Sequence, residues 1–169
     1  MESINVSKNC ILNADAIKRK IRRMAFQIAE ANADEQLIII AGIAGNGIIL
    51  AQKIVDELKQ MVNISIELII IQLTKKTPVD AVIQNQIDLS DKIIIVVDDV
   101  SNTGRTLLYA LRPLLNFLPK KIQTLVLVER SHKLFAVQPD YVGLSIATTL
   151  QEHIVVETEG GEITGAWLQ

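Results

Sequence analysis

The sequence predicts an α/β fold: a central parallel sheet with helices on both faces. Two observations predict it. Strand-like segments at Leu37 to Ala41, Ile64 to Leu73, Ile93 to Val97 and Gln123 to Val128, the first and third of them continuous apolar runs, alternate with stretches of helical periodicity. Strands buried on both faces read as unbroken apolar runs, and alternating strands and helices wind into parallel sheets. The turns at 42–47, 74–85, 98–106 and 129–143 each follow a predicted strand. They therefore share one rim, the side on which such sheets hold ligands.

Asn13 to Asn32 reads as the first helix. Ile17, Ile21, Met24 and Ile28 recur at helical spacing, with Lys18, Arg19, Lys20, Arg22 and Arg23 between them, and Asn13 or Asp15 is suited to cap it. Leu37 to Ala41 is the first strand, Gly42 to Gly47 a glycine turn and Ile48 to Met61 the next helix. Ile64 to Leu73 is a strand. Thr74 to Asn85, polar and carrying Lys75, Lys76 and Pro78, reads as a loop. Lys92 to Asp98 is a third strand. Gly104 opens a helix through Leu115 that Pro113 ends or kinks. Gln123 to Val128 is a fourth strand, and Tyr141 to Leu144 and His153 to Glu157 are short extended segments.

The 169 residues suit a single domain over 1–169, and 49% hydrophobic with 21% charged residues is ordinary for a globular chain. A net charge of -2 argues against binding nucleic acid or membrane through bulk charge, while leaving room for a local basic patch. Cys10 is the single cysteine, which excludes an intrachain disulfide and a cysteine metal cluster. Apolar runs fall short of the roughly 20 residues that span a bilayer. No secretory leader is legible, so the expected location is cytoplasmic, with no membrane partner.

The strongest signal is Ile95-Val96-Val97-Asp98-Asp99-Val100-Ser101-Asn102-Thr103-Gly104-Arg105-Thr106. Two carboxylates close an apolar strand, a hydroxyl-rich turn follows, and a helix begins. Main-chain N–H groups at a helix start attract an anion. Gly104 permits close approach and an unusual dihedral, and Ser101, Thr103 and Thr106 add donors. Asp98 and Asp99 repel a phosphate, so they face a sugar instead. There they accept from vicinal hydroxyls directly or through a metal-bound water. The bland alternative is a capped helix with Asp99 or Ser101 as N-cap, but two acids after five apolar residues are a poor choice for stability alone.

This segment resembles the phosphoribosyl diphosphate signature of type I phosphoribosyltransferases. Leu125-Val126-Leu127-Val128-Glu129-Arg130-Ser131-His132, Gln138-Pro139-Asp140-Tyr141-Val142-Gly143 and the stretch Ala16 to Ala41 are similar to segments of the bacterial pyrimidine-operon attenuator and uracil phosphoribosyltransferase family. The resemblance implies a central sheet with a small hood. It implies that Asp98 and Asp99 hold the ribose hydroxyls and that Val100, Ser101, Asn102, Thr103, Gly104, Arg105 and Thr106 cradle the 5-phosphate. By the same resemblance Tyr141 stacks near the base and the Val142 backbone reads its edge. Read from the residues alone, Tyr141 is equally a core side chain. Arg130 and His132 lie on the same rim and are candidates for diphosphate or RNA, or solvated loop residues.

Gly42-Ile43-Ala44-Gly45-Asn46-Gly47 is spaced G-x-x-G-x-G, which is not the dinucleotide fingerprint, and Glu67 falls in the middle of the second strand rather than at its end. Under the resemblance Ala44, Gly45, Asn46 and Gly47 form the diphosphate loop through their N–H groups. The family usually carries Thr-Arg-Gly there, and this turn has no cation. The Tyr-Arg element after the second strand is also missing. Lys75 and Lys76 are substitutes or solvent-facing charges. Losing a cationic contact to diphosphate costs several kcal/mol of transition-state stabilisation, so nucleotide binding is better supported than fast catalysis.

The resemblance implies Mg²⁺-dependent transfer of ribose 5-phosphate from phosphoribosyl diphosphate to a nucleobase, with uracil the expected base and Asp98 and Asp99 contacting the metal, through water if not directly. A rival expectation is a nucleotide-sensing regulator of pyrimidine genes that binds an mRNA leader through the basic helix Lys18 to Arg23, with weak or no catalysis. A weakened paralogue that only senses ligand is a third. A homo-oligomer is also expected, since members of the family oligomerise.

Overall fold

The computed structural model describes residues 8–169. Five parallel strands and one short antiparallel strand make a six-stranded sheet of order β4-β3-β2-β5-β6-β7. Its strands are β2 (Leu37–Ile43), β3 (Ser65–Gln72), β4 (Val82–Ile83), β5 (Ile93–Ser101), β6 (Lys121–Arg130) and β7 (Tyr141–Ile146). A second sheet, of order β1-β9-β8, joins β1 (Asn9–Asn13), β9 (Glu162–Leu168) and β8 (Ile154–Glu159). This is the small hood.

The sheet is sandwiched because its central strands carry unbroken apolar runs, Leu37 to Ile43 in β2, Ile93 to Val97 in β5 and Leu125 to Val128 in β6. In β2, Ile38 and Ile40 face the helices α1 (Ala14–Ala31) and α2 (Asn46–Met61), while Ile39, Ala41 and Ile43 face α3 (Arg105–Leu111). Successive side chains of a strand point to opposite faces, so an unbroken apolar run needs both covered. On α1, Ile17, Ile21, Met24, Ala25 and Ile28 are buried. Each large side chain so buried contributes roughly 1.5–3 kcal/mol, well above the few tenths that separate ordinary helix propensities. Asn13 is the N-cap, its Oδ1 accepting from the Ala16 N–H at 2.8 Å, so the cap is Asn13 and not Asp15.

Several boundaries differ from expectation. β2 runs on to Ile43 and α2 starts at Asn46, which shrinks the glycine turn to Ala44 and Gly45. β5 continues through both aspartates to Ser101 because it pairs with β6 as far as Ser101 opposite Glu129. The segment 74–85 is not all loop: a 3-10 turn at Pro78–Asp80 leads into β4, antiparallel to β3. α3 ends at Leu111 and passes into a 3-10 turn, Arg112–Asn116, around Pro113. β1 and β9 had not been expected. β1 is five residues long, largely exposed, and exists only by pairing with the far end of the chain, Cys10 opposite Trp167. The hairpin β8–β9 had a legible cue. Gly160 and Gly161 both carry positive φ, 57° and 78°, as a two-residue hairpin turn of type I′ requires.

Among the described residues no helix is long and apolar enough to cross a membrane.

Candidate active site

β2 and β5 are adjacent, and the chain leaves them towards opposite sides of the sheet: β3 lies beyond β2, β6 beyond β5. A crevice opens at the carboxyl ends of strands at such a reversal. Here it holds a cavity of about 270 Å³. Its walls are Asn46 from the start of α2, Lys75 after β3, Asp99 to Leu107 from the end of β5 into α3, and Ile154 to Val156 of β8.

Asp98 and Asp99 lie on the last turn of the β5 ladder, fully and almost fully buried. The Asp99 N–H donates to Asp98 Oδ1 at 3.0 Å. Asp98 Oδ2, Asp99 Oδ1 and Ser101 Oγ are buried without a hydrogen-bond partner among the described residues. Each such atom costs about 1–3 kcal/mol, so three at one strand end mark a place shaped for a polar ligand rather than for stability. Lys75 reaches across from the neighbouring loop, its Nζ 3.4 Å from Asp98 Oδ1 and 3.6 Å from Asp99 Oδ1. Burial, and next the neighbouring Asp99 charge, push Asp98 up to about 7, against the pull of Lys75. Burial opposes the charge on Lys75, but the two carboxylates outweigh it and raise its pKa above the usual lysine value.

Gly104 sits at φ 85° in the left-handed region, where it turns the chain from β5 into α3. Gly47 allows α2 to start directly against β5: a Cβ there would lie 2.8 Å from the Val97 carbonyl oxygen and 3.2 Å from Asp98 Oδ1. Asn46 then faces the acids. Its Nδ2 donates to Asp99 Oδ2 at 3.1 Å and to the Val156 carbonyl at 3.0 Å, and its Oδ1 accepts from Thr158 Oγ1 at 3.3 Å.

The structure thus brings together Asp98, Asp99, the segment Val100 to Thr106, and Asn46 with its neighbours Gly45 and Gly47. Ala44 adjoins them, but its N–H donates to the Ile71 carbonyl at 2.9 Å and has none left for a ligand. Of the two lysines, Lys75 lines the cavity and Lys76 is an exposed loop charge. Tyr141 and Val142 lie elsewhere. Tyr141 begins β7 opposite Leu125, on the edge strand two places along the sheet from β5. It is a core residue whose hydroxyl donates to Gln123 Oε1 at 2.9 Å. The Val142 carbonyl accepts from the Arg23 guanidinium at 2.8 Å. Arg130 and His132 are on the crevice rim but outside the cavity wall. Arg130 donates to the Thr149 carbonyl and His132 is exposed. Sequence reasoning missed Ile154 to Val156, which reach the cavity only because the hood folds over it.

Asp98 and Asp99 suit a magnesium ion, which takes hard oxygen ligands from one or two carboxylates and completes its shell with water and substrate phosphate. Among the described residues no group of three or more His, Cys, Asp and Glu side chains is placed to hold a metal. The pair therefore fits an ion that shares the substrate's oxygens, not one caged by protein alone.

Comparison with known proteins agrees with this geometry. Residues 7–159 match the phosphoribosyl transferase domain model. The bifunctional protein PyrR of Streptococcus pneumoniae strain CGSP14 is 36% identical over 148 residues, 83% of this chain and 84% of that protein. The crystal structure of hypoxanthine phosphoribosyltransferase from Trypanosoma cruzi superposes with a TM-score of 0.77 at 15% identity, covering 93% of this chain and 95% of that one. A hypoxanthine-guanine phosphoribosyltransferase from Bacillus anthracis gives 0.69 at 17% identity, over 82% of each chain. At such identities the two structures establish the fold, while the domain match and the sequence relative establish descent. The chain belongs to the phosphoribosyltransferase domain family, with the type I fold.

Proposed function

We propose that this chain, as one domain, transfers ribose 5-phosphate from phosphoribosyl diphosphate to a pyrimidine base, uracil being the base implied by its resemblance to the attenuator family and its likeness to PyrR. The carrying observation is the trio of buried oxygens on Asp98, Asp99 and Ser101 that accept no hydrogen bond among the described residues, beside a cavity of sugar-phosphate size. The two carboxylates take the ribose hydroxyls. Ser101 Oγ and the main chain through Thr106 take the 5-phosphate. Gly45 to Gly47 and the Lys75 ammonium take the diphosphate, so Lys75 supplies the cation that the glycine turn lacks. The base rests against β8, an edge strand of the hood whose Ile154 to Val156 line the cavity, with the Val156 carbonyl already held by Asn46.

In the reaction the bond from C1 of the ribose to diphosphate breaks, and C1 bonds to a base nitrogen, which loses its proton. The sugar passes through an oxocarbenium-like state, which Asp98 and Asp99 favour by charge. A bound Mg²⁺ would neutralise diphosphate charge and orient the leaving group. The protein's own contribution is position and field. Turnover with a panel of bases tests the reading. Asp98→Asn with Asp99→Asn is expected to abolish transfer, and undiminished turnover in the double variant sinks the assignment.

A second reading, RNA binding, is favoured by one observation. On α1, Lys18, Arg19 and Arg22 are exposed beside Phe26, itself 52% exposed with the Arg22 guanidinium 5.8 Å from its ring centre. Cations with an exposed aromatic suit a nucleic-acid strand, through phosphate contact and stacking. A gel shift with a pyrimidine-operon leader is expected to weaken steeply with salt. Salt-independent or absent binding removes this reading. Self-association has a candidate face in Val79, Val82, Leu108 and Leu115, all exposed, and light scattering tests it.

A further inference from the structure

Glu129, next to last in β6, lies opposite Ser101 and is buried, yet it does not line the cavity. Its Oε1 accepts from Gln138 Nε2 at 2.7 Å and pairs with Lys133 Nζ at 3.2 Å. Lys133 also donates to the Arg130 carbonyl at 2.7 Å. Glu129 thereby grips both ends of the loop that leaves β6. Between those grips the N–H groups of Leu134 and Phe135 both donate to the Thr103 carbonyl at 3.0 Å. The loop's own carbonyls press on Gly104: a Cβ there would meet Val137 O at 3.2 Å and Phe135 O at 3.3 Å.

An ion pair this enclosed, with side chains 5% and 15% exposed, loses much of its attraction to desolvation and adds little net stability. What it does supply is direction. The loop is fastened to the carbonyl of Thr103, and that peptide leads into the left-handed Gly104 and the amides at the start of α3. We infer that Glu129 is a positioning residue for the sugar phosphate: with Lys133 and Gln138 it clasps the loop onto Thr103 and so sets the turn that receives the 5-phosphate. The inference rests on the reading of Ser101 to Thr106 as the phosphate cradle.

Calorimetric titration with ribose 5-phosphate and, separately, with uridine tests it on the full chain. Glu129→Ala and Lys133→Met are each expected to weaken ribose 5-phosphate about tenfold, the size of loss that follows when supporting contacts let a site drift, with uridine binding unchanged. Glu129→Gln keeps an acceptor for Gln138 and Lys133 and is expected to recover most of the affinity. A purely structural clasp would lower the melting temperature and weaken both ligands alike, and that result overturns the inference. So does wild-type affinity for ribose 5-phosphate in a folded Lys133→Met protein, which keeps its bulk if Glu129→Ala does not fold. A wild-type chain that fails to bind ribose 5-phosphate overturns the cradle itself, a failure distinct from that of the clasp.

Discussion

Asn46 donates its side-chain amide to the carboxylate of Asp99 at 3.1 Å, and the same amide nitrogen reaches the Val156 carbonyl at 3.0 Å. One side chain therefore joins the start of α2, the end of β5 and the hood. The cavity lies among these three elements, so its width depends on Asn46. Hydrogen bonds to charged groups contribute about 1.5–3 kcal/mol. Asn46→Ala is expected to lower kcat/KM for phosphoribosyl diphosphate by roughly tenfold or more on that basis. Asn46→Asp, which sets a third carboxylate against Asp99, is expected to do worse. Steady-state kinetics check both, and an Asn46→Asp enzyme as active as wild type contradicts the assignment.

Lys75 stands between substrate binding and acid-pair repulsion. Lys75→Met is expected to raise KM for phosphoribosyl diphosphate about tenfold to a hundredfold, the range for losing one charge-assisted contact in a part-buried site. It is also expected to move the acid limb of the pH–rate profile upward, because Lys75 holds the Asp98 pKa down. Lys76→Met, at an exposed loop position, is expected to leave both unchanged.

Asp98 has its folded pKa raised from 3.8 to about 7, chiefly by burial and then by Asp99. Between those values the folded state holds a proton that the unfolded state has released, so this group makes stability fall as pH rises through that window. Asp98→Asn, which mimics the protonated acid, removes the slope. The melting temperature of the variant minus that of wild type is expected to grow from pH 4 to pH 8 while transfer activity is lost. A constant difference across that range refutes the buried-acid account.

Gly104→Ala forces a side chain into the left-handed region at φ 85° and against the Val137 carbonyl. The strain alone costs about 1–2 kcal/mol. A melting temperature lowered by several degrees is expected, together with loss of ribose 5-phosphate binding, and calorimetry reads both.

The arginines of α1 divide by role. Arg23 is committed to the fold, donating to the Val142 and Gly143 carbonyls at 2.8 and 2.9 Å. Arg22 is exposed, with its guanidinium over the Phe26 ring. Arg23→Met is expected to destabilise by about 1 kcal/mol per lost bond without changing the salt dependence of RNA binding. Arg22→Met is expected to reduce that salt slope by about one ion with stability intact.

The sequence by itself determined what is local. Ile95 to Thr106 is one contiguous stretch, and its strand, acids and turn follow each other with no help from the rest of the chain. The doubly covered sheet was equally legible, because apolar periodicity is written residue by residue. What needed the tertiary structure is what joins distant residues. β1 and β9 are neighbours only once the chain ends meet, so β1 carried too weak a local pattern to be read. Lys75 and Lys76 are indistinguishable as letters, and the direction of the chain after β3 decides which one meets the carboxylates. Tyr141 was equally compatible with base contact and with core until the fold buried its ring on the edge strand β7 and gave its hydroxyl to Gln123. Ile154 to Val156 became part of the cavity wall because a hood built from both chain ends folds over the crevice, and pairing across that separation is set by closure of the whole fold rather than by local propensity.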